Sequence, residues 1–199
     1  MDTQTLKYGL AVCIILTTVI TRSAYFWSRR MFLTCAECPH IKMPYCGWQI
    51  PHGTTSANDQ QRLLDIIGQT KNTLDICIYI FTYQELYQKL IDLFDSGVKI
   101  RIIMDNEMSS TNGSKLEQLL EKGVDVRLRD PQKVMHHKFF IIDNSLLVTG
   151  SLNWTRAALV ANTEQVLITN KKDFIDKSAG TFKILWDDTN TIQFPVETT

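Results

Sequence analysis

From Ser56 onward the chain alternates between two hydrophobic rhythms. Leu63, Leu64, Ile66 and Ile67 recur at helical spacing, and Asn58 or Asp59 stands where a cap is needed, so a helix is predicted as far as about Lys71. Residues 74–82, apolar apart from Asp75 and Thr82, read as a buried strand, with Cys77 in its core. Leu86, Leu90, Leu93 and Phe94 put a second helix over 84–96, closed by Gly97. The same rhythm continues with a strand over 98–105, a helix over 114–122 closed by Gly123, and a strand over 124–129. After a hairpin at 136–149 come a short helix over 154–160, a strand over Glu164–Thr169 and a last helix over 172–186. Strands alternating with helices predict an α/β fold, a mixed β-sheet sandwiched by helices.

The hairpin carries the densest chemistry. In a strand, residues two apart share a face, so His136 and Lys138 project together, followed by Phe140 and Ile142, while His137, Phe139 and Ile141 take the other side. Asp143-Asn144-Ser145 is a turn cluster. A hairpin centred near Asn144 sets residue 136 opposite 152 and 138 opposite 150, which brings His136 and Lys138 to the same end as Gly150, Ser151 and Asn153. An imidazole, a fixed cation, hydroxyl and amide donors and a glycine that allows close approach suit a phosphate. Asp143 lies roughly 23 Å further along the strand, at about 3.3 Å per residue, which points to a turn or packing role.

His136-x-Lys138-x4-Asp143 followed by Gly150-Ser151-x-Asn153 resembles the phospholipase D superfamily. That resemblance implies a phosphodiesterase whose histidine attacks phosphorus to give a phosphohistidine. It includes Asp143 in the catalytic motif with His136 and Lys138, and implies Ser151 and Asn153 as phosphate ligands. It also implies that Glu164, after the Gly-Ser-x-Asn helix, accepts a hydrogen bond from the attacking histidine and fixes its tautomer. The alternative for Glu164 is an edge-strand side chain in solvent.

The reaction needs a second histidine as general acid for the leaving oxygen. His40-x-Lys42 is the other His-x-Lys, but Gly47 stands where its aspartate would be. One motif in 199 residues predicts a homodimer whose full site is shared across a two-fold axis. His137 as the acid within one chain is the alternative, opposed by the way neighbours in a strand face apart.

Before residue 56 the pattern changes. Residues 8–21 form an apolar stretch of 14, short of the ~20 that cross a bilayer squarely. It extends through Leu6 and towards Trp27 if Arg22 snorkels to the interface. Arg22, Arg29 and Arg30 on its C-terminal side favour a membrane anchor over 1–30 with the main domain in the cytosol. A cleaved secretory signal has the same apolar length. Against secretion, Asn153-Trp154-Thr155 is a glycosylation sequon, and a glycan there would block the phosphate site. Such an anchor is similar to those of the mitochondrial outer membrane.

Over 31–55, Cys35, Cys38, Cys46 and His52 have the spacing of a tetrahedral zinc site, with His40 as an alternative fourth ligand. All four positions are filled by protein, so the zinc is expected to be structural, stabilising a segment with little core of its own. Three reduced cysteines and a loop histidine are the plainer reading. The catalytic domain is then 56–199.

Charge changes little: 21 basic and 21 acidic residues balance, with net +3 before residue 53 and −3 after it. No global basic field announces nucleic acid. Lys133, Arg127, Arg129 and Arg156 lie near the motif as possible groove cations, each otherwise a solvated surface position.

Short, single-motif, anchored and Cys3His-containing, the chain resembles the mitochondrial cardiolipin hydrolase and Zucchini group within that superfamily. The likeness implies either endonucleolytic cutting of single-stranded RNA in piRNA biogenesis or hydrolysis of cardiolipin to phosphatidic acid, with no catalytic metal. RNA cutting at the mitochondrial surface is the expectation, and cardiolipin hydrolysis the alternative. A non-catalytic membrane scaffold is a third possibility, disfavoured by the intact His136, Lys138 and Asn153.

Overall fold

A computed structural model of the protein describes residues 47–50, 57–188 and 192–193. Within them, β1 (Gly47–Ile50), α1 (Ala57–Ile67), β2 (Thr73–Ile78), α2 (Gln84–Asp95) and β3 (Lys99–Met104) come first. A 3-10 turn (Met108–Ser110), α3 (Leu116–Glu121), β4 (Asp125–Leu128), β5 (Lys138–Ile142) and β6 (Leu146–Gly150) follow. The chain continues with α4 (Arg156–Val160), β7 (Glu164–Thr169), α5 (Lys172–Asp187) and β8 (Ile192–Gln193).

The strands form one mixed sheet in the order β1-β7-β6-β5-β2-β3-β4-β8. Strands β2, β3 and β4 run parallel, joined by α2 and α3, and the remaining pairings are antiparallel. Gly97 and Gly123, both at positive φ, end the two crossover helices in the same way. In each case the glycine amide donates three residues back and the next valine amide five back, so orphan carbonyls are satisfied as the chain turns into its strand. On one face of the sheet, Cys77, Ile103, Phe139, Ile141 and Leu147 pack on Ile175, Phe182 and Trp186 of α5. Phe140, Val148, Leu152 and Trp154 face the other way, beside Leu63 of α1. The alternation read from the hairpin is therefore the alternation of the two core layers.

Several elements are shorter than their hydrophobic runs. Helix α1 stops at Ile67 rather than near Lys71, because the amides of Lys71, Asn72 and Thr73 turn to the carboxylate of Asp143. Strand β2 ends at Ile78, where the chain leaves the ladder to make an isolated bridge between Phe81 and Trp154. Trp154 is thereby kept out of α4: its amide donates to Ile80, its carbonyl accepts from Thr82 and Tyr83, and Thr155 caps the helix instead. The sheet also takes in Gly47–Ile50, residues the sequence grouped with the zinc segment, because β1 pairs with β7 through Ile50 and Glu164. Among the described residues no helix is long and apolar enough to cross a membrane. The expected anchor over 1–30 lies outside the described residues, as do Cys35, Cys38, Cys46 and His52.

Candidate active site

The chemistry gathers where β2 ends, β5 begins and β6 ends. Phe139 pairs with Thr149 and Ile142 with Leu146, the register expected from a turn at Asn144. Ile78 pairs with Lys138 on the other side, so the start of β5 stands at the carboxyl ends of the parallel strands, where α/β sheets open a crevice. The strand begins at Lys138 rather than His136, and residues 136 and 137 are irregular chain. His136 is exposed, and its ring meets the ring of Tyr79 edge-on with centroids 4.5 Å apart. Lys138 is half-buried; its Nζ sits 4.7 Å from the centre of the Tyr79 ring and donates to the carbonyl of His136 at 3.0 Å.

Burial pushes the Lys138 ammonium below the usual lysine range, and the carboxylates of Glu164 and Asp105 partly oppose that shift. His137 is also lowered, first by burial, then by the charges of Lys138 and His136. Its ring packs on Phe139, 5.6 Å between centroids, which belongs to the layer under α5. The two adjacent histidines thus turn to different sides, which opposes His137 as an acid beside His136.

Ser151 and Glu164 meet across the β6–β7 edge. The Ser151 hydroxyl donates to Glu164 Oε2 and accepts from the Gln165 amide at 3.1 Å, while Asn162 Nδ2 donates to Glu164 Oε1 at 2.9 Å. Both carboxylate oxygens are held in a side chain only 7% exposed, so Glu164 is not a solvated edge residue. Nor is it bonded to the His136 ring: its partners among the described residues are Ser151 and Asn162. Asn153, half-buried between the buried Leu152 and Trp154, has a buried amide oxygen without a partner among the described residues. The oxygen only accepts, so the group of this side chain that can donate to a phosphate oxygen is Nδ2.

Asp143 is elsewhere. At the hairpin turn, at φ 49°, its carboxylate accepts from the amides of Asn72 (2.7 Å), Thr73 (2.8 Å) and Lys71 (3.0 Å). Partial burial works against its charge, but the amides of Thr73, Lys71 and Asn72 outweigh burial and hold the carboxyl below its usual range. This is the turn role expected from the hairpin count, and the carboxylate ties the hairpin to the start of β2. Asp143→Ala is expected to cost about 2–4 kcal/mol of unfolding free energy and to leave kcat of the folded protein within about twofold, since no reacting group is touched. Because the folded pKa is depressed, this stabilisation is full above the ordinary carboxylate range and is lost as pH falls through the folded value. Urea unfolding at neutral pH and near pH 3, with kcat measured in parallel, checks it; a hundredfold fall in kcat in a folded variant would return Asp143 to the chemistry.

Two contributors were not visible in the sequence. Tyr79 touches both motif side chains, and Asp105, 4% exposed, accepts from the amides of Met108 (3.1 Å) and Met135 (2.8 Å), fixing the chain just before His136. Both follow directly on parallel strands, which is the signal that would have found them. Two of the four possible groove cations are used inside the fold. Arg129 pairs with Asp188, and Arg127 lies over the Trp186 ring and donates to its carbonyl. Lys133 and Arg156 remain exposed.

Comparison with known proteins agrees with this arrangement. Residues 63–186 match the family described as cardiolipin synthase, PLD-like domain. A mitochondrial cardiolipin hydrolase of Chlamydomonas reinhardtii is 38% identical over 146 residues, covering 73% of this chain and 63% of that protein. The protein of the same name from Xenopus tropicalis is 34% identical over 156 residues, covering 78% and 73%. The match thus spans less than two thirds of the algal relative. Among solved structures, Nuc of Salmonella typhimurium, a phospholipase D family member, superposes with TM-score 0.65 at 23% identity over 74% of this chain and 95% of that one. NucT of Helicobacter pylori superposes equally well at 22% identity. The fold, the matched span and the paired strands around His136 and Lys138 agree: the chain belongs to the phospholipase D-like family of phosphodiesterases.

Proposed function

We propose that this chain cleaves phosphodiesters through a covalent phosphohistidine on His136, with two chains supplying one complete site. The observation that carries this reading is the convergence of an exposed imidazole, the Lys138 ammonium, the Ser151 hydroxyl and the Asn153 side chain at one end of the sheet. An imidazole nitrogen of His136 attacks phosphorus, the P–N bond forms and the bond to the leaving oxygen breaks. That oxygen takes a proton from the second chain's copy of the same histidine. Water then attacks the phosphohistidine, the P–N bond breaks, and the phosphate remains on one product. Lys138 and Asn153 Nδ2 balance the charge that grows on the non-bridging oxygens, and Ser151 joins them by turning its hydroxyl from Glu164 to the phosphate. This scheme uses no catalytic metal.

The substrate proposed is single-stranded RNA, cut to leave a 5′-phosphate. An extended backbone suits a site that lies open at the end of the sheet, with His136 exposed. Hydrolysis of cardiolipin to phosphatidic acid is the second reading, favoured by the names of the relatives. Those names also support a mitochondrial site. There residues 1–30 would anchor the protein in the outer membrane with the catalytic domain towards the cytosol, and Cys35, Cys38, Cys46 and His52 would bind a structural zinc.

The test gives the full chain, in detergent, end-labelled single-stranded RNA or cardiolipin vesicles. Expected are RNA products with 5′-phosphates, activity that falls steeply with salt, and an acid-labile phosphate mapped to His136 after rapid quenching. Phosphatidic acid without RNA cleavage would move the assignment to the lipid. Turnover of either substrate without phosphate on His136 would sink the covalent mechanism, and no turnover of either would favour the scaffold.

A further inference from the structure

We infer that Tyr79 is a positioning residue for the nucleophile, its ring holding the His136 imidazole and the Lys138 ammonium in one fixed arrangement; this rests on the phosphodiesterase reading above. Three observations place it there. Tyr79 is the first residue beyond β2, next to Ile78, which pairs with Lys138, so the ladder itself delivers its ring to the start of β5. Its ring meets His136 at an interplanar angle of 61° and Lys138 Nζ at 4.7 Å. Among the described residues no hydrogen bond reaches the exposed His136 ring, so the edge-on contact is what restrains its side-chain torsion there.

The contacts reinforce each other. Lys138 is drawn over the ring as a cation over an aromatic face and bonds back to the His136 carbonyl at 3.0 Å. Carbonyl, ammonium and imidazole are thus joined in a loop that closes on one tyrosine ring. A nucleophile must approach phosphorus along the line of the departing bond, and a misplacement of about 1 Å costs on the order of a hundredfold in rate. A free imidazole at an exposed position samples several rotamers; one packed edge-on does not. The inference concerns the ring and not the hydroxyl, so phenylalanine should replace tyrosine and an aliphatic side chain should not.

The test compares full-length wild type, Tyr79→Phe and Tyr79→Leu, with Tyr79→Met as a second ring-free variant should leucine fail to fold. Tyr79→Phe is expected to keep kcat within about twofold. The ring-free variants are expected to lose kcat by roughly 10- to 100-fold with KM changed less than about threefold. Histidine proton resonances give a readout independent of turnover, the His136 signals being identified by their absence in His136→Ala. They should lie displaced by the tyrosine ring in wild type and Tyr79→Phe, and move towards free-histidine positions in a folded ring-free variant. Wild-type kcat with unmoved His136 signals in a folded Tyr79→Leu or Tyr79→Met protein would overturn the inference. So would a Tyr79→Phe loss as large as that of leucine, which would assign the role to the hydroxyl. If wild type turns over neither substrate, the phosphodiesterase reading fails, and the resonances still decide whether the ring orders His136.

Discussion

His136→Ala is expected to lower turnover by at least about 10⁴-fold, to the level of background hydrolysis, because it removes the group proposed to form the covalent bond. The ring is exposed and, among the described residues, its one aromatic contact is with Tyr79, so the variant should fold with a melting temperature close to that of wild type. The sharper expectation comes from mixing. If one histidine attacks while the other, from the second chain, protonates the leaving oxygen, a dimer with a single intact histidine has either no nucleophile or no acid. Equal amounts of wild type and His136→Ala, allowed to exchange subunits, form wild-type pairs in about a quarter of dimers. Activity should then fall to about a quarter of that of an all-wild-type sample of the same total concentration. A fall to about half would mean that each chain works alone, and the general acid would have to be sought within one protomer. His137 would be a poor choice, since its ring packs towards Phe139 and away from the Tyr79 side.

What the sequence disclosed and what it concealed divide along physical lines. The hairpin register was legible because a turn centre and a period of two leave no freedom once both faces are apolar, and the structure pairs Phe140 with Val148 as that count requires. Strand Glu164–Thr169 has its expected ends because Asn162-Thr163 and Asn170 punctuate it on both sides. Strands β1 and β8, of four and two residues, were not legible, since so short a run shows no period. The roles of charged residues were the least legible. Arg127 and Arg129 sit in the sequence like groove cations, but alternate positions of a strand under an aromatic helix draw both towards Trp186 and Asp188. Asp143 reads as a catalytic residue by motif, yet its three partners lie some seventy residues away, beyond the reach of any local pattern. The partners of Glu164 depend on the β6–β7 edge, which a motif does not specify.

The same edge makes Gly150 the most tightly crowded glycine among the described residues. Gly150 pairs with Val166, and a Cβ built on it would stand 1.9 Å from the Gln165 carbonyl oxygen, 2.9 Å from its carbon and 3.0 Å from the Val166 Cα. All three are backbone atoms of the neighbouring strand, so no side chain can swing away and the strands themselves must part. The adjacent link suffers first: the Ser151 amide donates to that same Gln165 carbonyl at 3.0 Å, and the Gln165 amide donates back to the Ser151 hydroxyl at 3.1 Å. Gly150→Ala is therefore expected to lower stability by about 3 kcal/mol or more, the upper end of overpacking costs. For a domain of this size that lowers the melting temperature by roughly 6–12 °C. Activity should fall further than stability alone predicts, because the displaced residues include Ser151, one of the proposed phosphate ligands, and its partner Glu164. Gly180→Ala is the control: its Cβ would meet nothing within 4 Å, in the middle of α5, and helix propensity should make it neutral or stabilising by up to about 1 kcal/mol. Thermal melts of the two variants with kcat measured well below either transition separate the terms. A Gly150→Ala protein with the wild-type melting temperature and turnover would mean that the β6–β7 edge yields freely, and that the placement of Ser151 does not depend on it.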